Sequence, residues 1–464
     1  MISADKTDGL FFVGIGGIGM SALARYFLAG GFFVAGYDRT GSELTDALSA
    51  EGCSITFDDD TGSLPELFRA RENRSRVVIV YTPAIPASNR ILTHFRSGGY
   101  TLMKRSEVLG QISSKTDTLA VAGTHGKTTV STILAHILNL SHIGCSAFLG
   151  GISKNYNTNL LIGTGRYTVM EADEYDRSFL RLTPLMAIIT SVDADHLDIY
   201  GDHASMIAGY NEFCTLVRPG GHMVVNKKIE SLIKRQPDVS CSTYGLDETA
   251  DYSALNITPD SHFYRFDLKT PSGVFRDMHF SLPGVINVEN AVAASAVALL
   301  SGAMIEEVRK ALVCFRGVRR RFDLRLSLPG MIYIDDYAHH PEEIRAFTES
   351  IREQYGRSRI TGIFQPHLYT RTRDHAESFA RALDMLDSVI LMPVYPAREE
   401  PIPGVESYLI RDAMKMKDVK IIAARGVVDA VDLANTDVLV TIGAGDIDRL
   451  VKPLEDKIKA IYGK

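Results

Sequence analysis

Three stretches combine residue types at spacings that can do chemistry on phosphates. In "TLAVAGTHGKTTVST" (residues 118–132) an apolar strand runs into Gly123 and Gly126, then Lys127, Thr128 and Thr129. Glycines let successive backbone N–H groups turn inward, a lysine supplies a point charge, and a threonine opening a helix presents its hydroxyl to Mg²⁺. The usual phosphate loop has four residues between its two glycines, which would put the first at Val121; here only Thr124 and His125 separate them. An ordinary helix cap does not account for a lysine followed by two threonines. The second stretch, "VMEADEYDRSF", carries Glu171, Asp173, Glu174 and Asp176, and the third, "TSVDADHLDIYGD", carries Asp193, Asp195, His196 and Asp198. Each alone reads as a solvated acidic turn, and His196 alone as a capping residue. Both follow strands, and two such strand ends beside a triphosphate supply the hard oxygen ligands that Mg²⁺ prefers.

Other clusters stand elsewhere. Gly14-Ile15-Gly16-Gly17-Ile18-Gly19 fits G-x-G-x-x-G directly after a strand, with Asp38 at the end of the next. That arrangement turns backbone amides and a helix N-terminus toward a diphosphate and sets Asp38 for a ribose hydroxyl. Towards the C-terminus, "FRGVRRRFDLR" places Arg316, Arg319, Arg320, Arg321 and Arg325 close together. Such a run is commonly a solvated face, although at a domain boundary one or two arginines can close over a phosphate. "YIDDYAHHPEE" and "FQPHLYTRTRD" offer Asp335, Asp336, His339, His340, His367, Arg371 and Arg373 at strand ends; the paired histidines suggest metal but lack a third ligand at suitable spacing.

The elements that position these groups alternate between strand and helix. A strand, glycine loop, helix and second strand are expected between Leu10 and Asp38, and another buried strand in Arg76–Ile85. Further strands are expected at Thr118–Ala122, Tyr167–Glu171, Leu185–Thr190 and His222–Asn226, and a helix in "VENAVAASAVALLSG". The stretch from Ser240 to Leu282, richer in Thr, Ser, Tyr and Phe, is expected to be antiparallel. Strand–helix units then resume with "MIYIDD", "RITGIFQPH", "DSVILMPVY" and "DVLVTIGAG". A chain of 464 residues exceeds one ordinary domain. Its 45% apolar and 23% charged residues suit globular domains, and a net charge of −6 gives no global reason for nucleic acid or a membrane surface as partner. The nearly uncharged Phe11–Gly36 is better explained by a buried strand, a turn and a helix than by a membrane span. Five scattered cysteines without CxxC spacing argue for reduced thiols in a cytoplasmic setting.

In order and spacing, "GIGGIGM", "AGTHGKTT", "EADEYDRSF", "DADHLDIYGD", "PGVINVENA", "RRRFD", "DDYAHHP" and "FQPHLYTRTRD" resemble the Mur ligases over essentially the whole chain. The shortened loop is similar to that family's own ATP loop. The resemblance implies an α/β protein of three domains: an N-terminal Rossmann-like UDP-binding domain (1–109), a central P-loop ATPase-like domain (110–318) and a C-terminal Rossmann-like domain (319–464). It implies ATP on Gly123, Thr124, His125, Gly126, Lys127, Thr128 and Thr129, with Asn287, Asn290, Arg321 and Asp336 around base and ribose. Mg²⁺ would sit on Thr128, Glu171 and His196. The UDP-sugar would lie on Gly14, Gly16, Gly17 and Gly19 with Asp38 and Thr82, and His339 and Arg371 would serve the amino-acid end. Where relatives often carry histidine before the first asparagine of the adenine segment, this chain has Ile286, which leaves base recognition to Asn287 and Asn290. The implied reaction joins L-alanine to the muramyl carboxylate of UDP-N-acetylmuramate through an acyl phosphate, by a monomer or homodimer. Competing readings are a recycling ligase adding a tripeptide to the same sugar, an NAD-dependent oxidoreductase reading only the first glycine loop, and a non-enzymatic ATP-binding switch. The first is disfavoured because Asp176 runs straight on into "RSFLRLTP" with no insertion.

Overall fold

A computed structural model describes residues 2, 5–194, 197–260, 263–397 and 399–463. The described residues are α/β throughout and form three sheets. The first is fully parallel, in the order Ser54–Thr56, Phe33–Tyr37, Gly9–Val13, Val77–Tyr81, Thr101–Lys104. Gly9–Val13, the first strand in sequence, sits mid-sheet, and the connections leave it in opposite directions. Its C-terminal end is therefore the crevice where a parallel sheet receives ligands. The apolar segment 11–36 resolves, as expected, into that strand, the helix Ile18–Ala29 and the strand Phe33–Tyr37. No described helix is long and apolar enough to cross a membrane.

The second sheet has ten strands. At its centre Asp117–Ala122, buried from Thr118 onward, lies between Met186–Ile189 and Tyr167–Glu171, and all three run parallel. An apolar strand without alternation is what a parallel sheet covered on both faces demands. Beyond Tyr167–Glu171 come Cys145–Ser153 and Thr158–Leu161, paired antiparallel. On the other side follow His222–Asn226, Ser240–Gly245, Tyr252–Asp260, Phe263–Thr270 and Gly273–Phe280. The expectation of an antiparallel stretch from Ser240 needs correction. Ser240–Gly245 runs parallel to His222–Asn226, and its short pairing with Tyr252–Asp260 is parallel too. β-Branched and aromatic content reports a pleated, half-buried surface, not strand direction. Further along, Tyr252–Asp260, Phe263–Thr270 and Gly273–Phe280 are sheet neighbours joined by two connections of two residues each, short enough to require antiparallel pairing, so the expectation holds for that part of the stretch.

The third sheet runs Asp323–Leu328, Met331–Asp336, Val438–Ile442, Ile360–Phe364, Ser388–Leu391, Val419–Ile421, with only the first strand antiparallel. Packing divides the chain into two compact units. One comprises Met1–Asn256, Phe266–Met278 and Glu289–Phe315; the other comprises Ile257–Arg265, His279–Val288 and Arg316–Lys464. Within the first, one apolar cluster continues from a face of the first sheet (Leu10, Phe12, Val34, Val80) to a face of the second (Ala120, Ala122, Met170, Ile189). Tyr26 and Phe148 meet at that seam with ring centroids 5.3 Å apart. In the second unit, separate clusters around Ile334, Phe364 and Val440 and around Tyr333, Ile363 and Leu439 cover the two faces of the third sheet.

Candidate nucleotide and diphosphate sites

The register of the central sheet brings the phosphate-handling residues together. Val121 pairs with Glu171 and Ala122 with Ile189, so both acidic segments leave the sheet beside the loop 123–127. Gly123 and Gly126 have φ of +131° and +80°, a region open to glycine at no steric cost. Gly126 caps the helix Lys127–Leu140, whose residues 128–138 are all buried. Side chains not singled out in the sequence fix the loop from below. Ser191 Oγ accepts from His125 N at 2.9 Å and shares a hydrogen with Thr124 Oγ1 at 2.8 Å, and Thr190 Oγ1 donates to His125 O at 2.5 Å. A Cβ on Gly123 would fall 2.8 Å from Ser191 N, so the loop and the strand end are packed backbone to backbone. The only hint in the sequence is a Thr-Ser pair at a strand end.

Lys127 Nζ donates to Gly123 O at 2.6 Å and to Glu174 at 2.9–3.0 Å. Burial on its own would lower the pKa of this ammonium, but the charges of Glu174, Asp173 and Glu171 hold it above its ordinary value. Thr128 Oγ1 donates to Glu171 Oε2 at 2.9 Å. Gly150, in the middle of a strand, makes that placement possible: a Cβ there would fall 2.6 Å from the Glu171 carboxyl carbon. Asn290, on the helix Val285–Leu300, packs on the loop's other side, its Oδ1 2.8 Å from where a Cβ on Gly126 would stand. Thr129 is buried, and the His125 ring faces Asp193 at 3.7 Å. Asp195 and His196 lie outside the described residues.

The acidic turn is itself held in place. Asp176 and Arg177 are consecutive non-glycine residues at φ of +53° and +52°, a conformation that costs about 1–3 kcal/mol per residue and persists only where its surroundings impose it. Lys104 Nζ pairs with Asp176 at 2.9 Å, Arg105 with Asp173 at 3.1 Å, and Tyr200 OH donates to Glu174 O at 2.9 Å. Arg105 also touches the first glycine loop, because a Cβ on Gly19 would overlap its guanidinium. One arginine of the first sheet's last connection thus joins the two candidate sites. Arg105 stands outside every stretch whose residue types and spacing point to chemistry.

At the first loop, Gly14, Gly16, Gly17 and Gly19 converge on the C-terminal ends of Gly9–Val13 and Phe33–Tyr37. Asp38 Oδ2 accepts from Gly16 N at 2.8 Å and its Oδ1 from Arg39 N at 2.8 Å, so this carboxylate shapes the loop. Thr82 stands at the mouth, its methyl 3.4 Å from a Cβ position on Gly14.

In the second unit the strand ends Met331–Asp336 and Ile360–Phe364 bring His339 and His367 to 5.8 Å between ring centroids. His340 turns away to His375, at 5.3 Å. The consecutive histidines therefore diverge, and among the described residues no group of three His, Cys, Asp or Glu could hold a metal ion. Asp336 accepts Phe322 N at 2.6 Å and Ala338 N at 2.7 Å. Burial raises its carboxyl to about 6 against the pull of Arg321 and the two amides. Arg321 and Arg320 both stack on the Tyr337 ring at 5.0 Å. Arg371 is in the first turn of the helix Tyr369–Leu383, and Asn287 Nδ2 donates to Pro283 O at 2.6 Å.

Residues 10–116 match the Mur ligase family catalytic domain, 121–298 the Mur ligase middle domain, and 320–445 the Mur ligase glutamate ligase domain. The chain is 46% identical over 453 residues to a UDP-N-acetylmuramate–L-alanine ligase of Parabacteroides distasonis, covering 97% of each chain. It is 47% identical over 455 residues to that of Porphyromonas gingivalis, covering 97% of this chain and 99% of the relative. Among solved structures, a UDP-N-acetylmuramate–alanine ligase from Thermotoga maritima superposes with a TM-score of 0.83 at 26% identity, over 97% of this chain and 99% of that one. A murein peptide ligase from Psychrobacter arcticus shares the fold, with a TM-score of 0.73 at 21% identity over 98% and 99%. The chain belongs to the Mur ligase family.

Proposed function

We propose that this chain joins L-alanine to the carboxylate of UDP-N-acetylmuramate in the synthesis of a peptidoglycan precursor. It is an ATP-dependent, amide-forming ligase. The observation that carries the reading is the constellation of Lys127, Thr128, Glu171 and Asn290 around one helix N-terminus, in the same unit as a glycine loop built for a diphosphate. The muramyl carboxylate attacks the γ-phosphorus of ATP, and ADP leaves. The amine of L-alanine then attacks the acyl carbon, the C–O bond to phosphate breaks, and the nitrogen loses a proton. Lys127 supplies positive charge where it develops on the transferring group, and the amides of the loop orient the phosphates.

The residues present fit Mg²⁺. Thr128 and Glu171 offer two hard oxygens in contact, in space that a side chain at Gly150 would fill, and Mg²⁺ characteristically takes one or two protein ligands plus phosphates and water. We assign it to Thr128 and Glu171, with His196 on the strength of the family resemblance. When bound, it offsets charge on the phosphates of ATP. The resemblance likewise supports Asn287, Arg321 and Asp336 as nucleotide residues, and His339 and Arg371 as serving the amino-acid end. It also supports domains at 1–109, 110–318 and 319–464. The described cysteines are all free, which suits a reducing cytoplasm.

Two results follow. With Ile286 exposed and unable to hydrogen-bond, the base depends on amides. Losing one neutral hydrogen bond costs about 0.5–1.5 kcal/mol, so Asn290→Ala should weaken ATP several-fold and leave the KM for L-alanine unchanged; an unchanged ATP affinity would remove Asn290 from the site. The acyl phosphate has an isotopic signature. UDP-N-acetylmuramate labelled with ¹⁸O in its carboxylate should deliver one labelled oxygen to each phosphate released, and unlabelled phosphate would exclude that intermediate.

A further inference from the structure

Of the acidic residues around the loop, Glu174 has a setting of its own. Asp173 pairs with Arg105 and Asp176 with Lys104, cations contributed from outside the loop, and Glu171 accepts the Thr128 hydroxyl. The carboxylate of Glu174, 1% exposed, is instead paired with Lys127, the cation the phosphates themselves require. Its main chain is clamped by the Tyr200 hydroxyl. Tyr210, also fully buried, has its hydroxyl pushed far above the ordinary range by burial and then by the charge of Glu174. Lys127 Nζ is drawn back onto the loop carbonyls Gly123 O and Thr124 O, at 2.6 and 3.3 Å.

We infer that Glu174 is a charge gate on the nucleotide loop: it holds Lys127 while the site is free of phosphate and repels a phosphate chain that carries no divalent cation. The inference rests on the loop being the ATP site. When Lys127 turns to the phosphates, the pair is weakened inside the protein, where a buried carboxylate that loses its partner is costly. That carboxylate then faces like charge within a few ångströms. A bound divalent cation cancels the repulsion. Glu174 thus makes nucleotide binding conditional on the metal, and it acts through Lys127 as a positioning residue, without touching the reacting atoms.

The test is calorimetric titration of the full chain with ADP and with adenosine, in excess EDTA and in excess Mg²⁺. Wild type should bind ADP at least tenfold tighter with Mg²⁺. In Glu174→Gln, which keeps the shape and removes the charge, ADP in EDTA should bind about fivefold or more tighter than in wild type, so the Mg²⁺ dependence shrinks. Adenosine should bind equally to both, whereas a purely structural role would weaken adenosine and ADP alike. Glu174→Asp, which keeps the charge, should retain the full dependence on Mg²⁺. Metal-free ADP bound no more tightly by Glu174→Gln overturns the inference. Absence of ADP binding by wild type in Mg²⁺ would instead overturn the assignment of the loop. If the amide variant does not fold, wild type alone decides: in EDTA affinity should fall from AMP to ADP to ATP, and a rise in that order overturns the gate.

Discussion

Lys127→Ala should abolish ligation while leaving UDP-sugar binding intact. The ammonium is held at the mouth of the loop by two backbone carbonyls and Glu174, and it is the cation that opens the helix Lys127–Leu140. In the reaction its charge acts on the phosphoryl group as it leaves ADP. The loss should therefore fall on turnover, by on the order of 10³-fold or more, as for other charge clamps on transferring phosphates. The first glycine loop belongs to another sheet and receives no hydrogen bond from Lys127. Titration with UDP-N-acetylmuramate should then give the wild-type dissociation constant. Near-normal turnover in this variant would mean that the loop is not the site of phosphoryl transfer.

A single methyl group at Gly150 should do almost as much damage from a residue with no chemistry of its own. The added Cβ would stand 2.6 Å from the Glu171 carboxyl carbon and closer still to its oxygen, so the carboxylate must leave its place beside Thr128. Gly150 lies in the strand Cys145–Ser153, paired with the strand that ends in Glu171, and a backbone locked in a sheet has little room to give way. A displacement of about 1 Å at a catalytic group costs on the order of 10²-fold. Gly150→Ala should therefore fold with wild-type circular dichroism, lose about 10²-fold in turnover, and need a higher Mg²⁺ concentration for half-maximal rate. Wild-type Mg²⁺ dependence would show that Glu171 is not a metal ligand.

Gly150 also shows where the sequence stops being legible. The apolar runs at Asp117–Ala122, Tyr167–Glu171 and His222–Asn226 announce themselves as buried strands, and their parallel register carries Glu171 to the loop as anticipated. The hairpin of Cys145–Ser153 and Thr158–Leu161 has no comparable signal. "AFLGGIS" weakens its own strand signal with two glycines, and the reason for one of them, a carboxylate in the next strand, exists only in three dimensions. Ser191 and Arg105 carry no signal for the same kind of reason: each does its work through a partner 66–68 residues away. The histidine pair at 339–340 looked like a metal motif because adjacency in sequence suggests a common target. Their rings face His367 and His375 instead, since Pro341 begins a helix that His340 caps. Motif order revealed the family, while the loop's supports and the Glu174–Lys127 pair required the fold.

The most direct test of the central claim is phosphate release by the purified chain with ATP, Mg²⁺ and UDP-N-acetylmuramate, run in parallel with L-alanine, with the tripeptide and with no amine. L-alanine should drive sustained release and yield a UDP-sugar product heavier by one alanine residue, with background rates in the other two. Release driven by the tripeptide, or equal release without any amine, would contradict that claim.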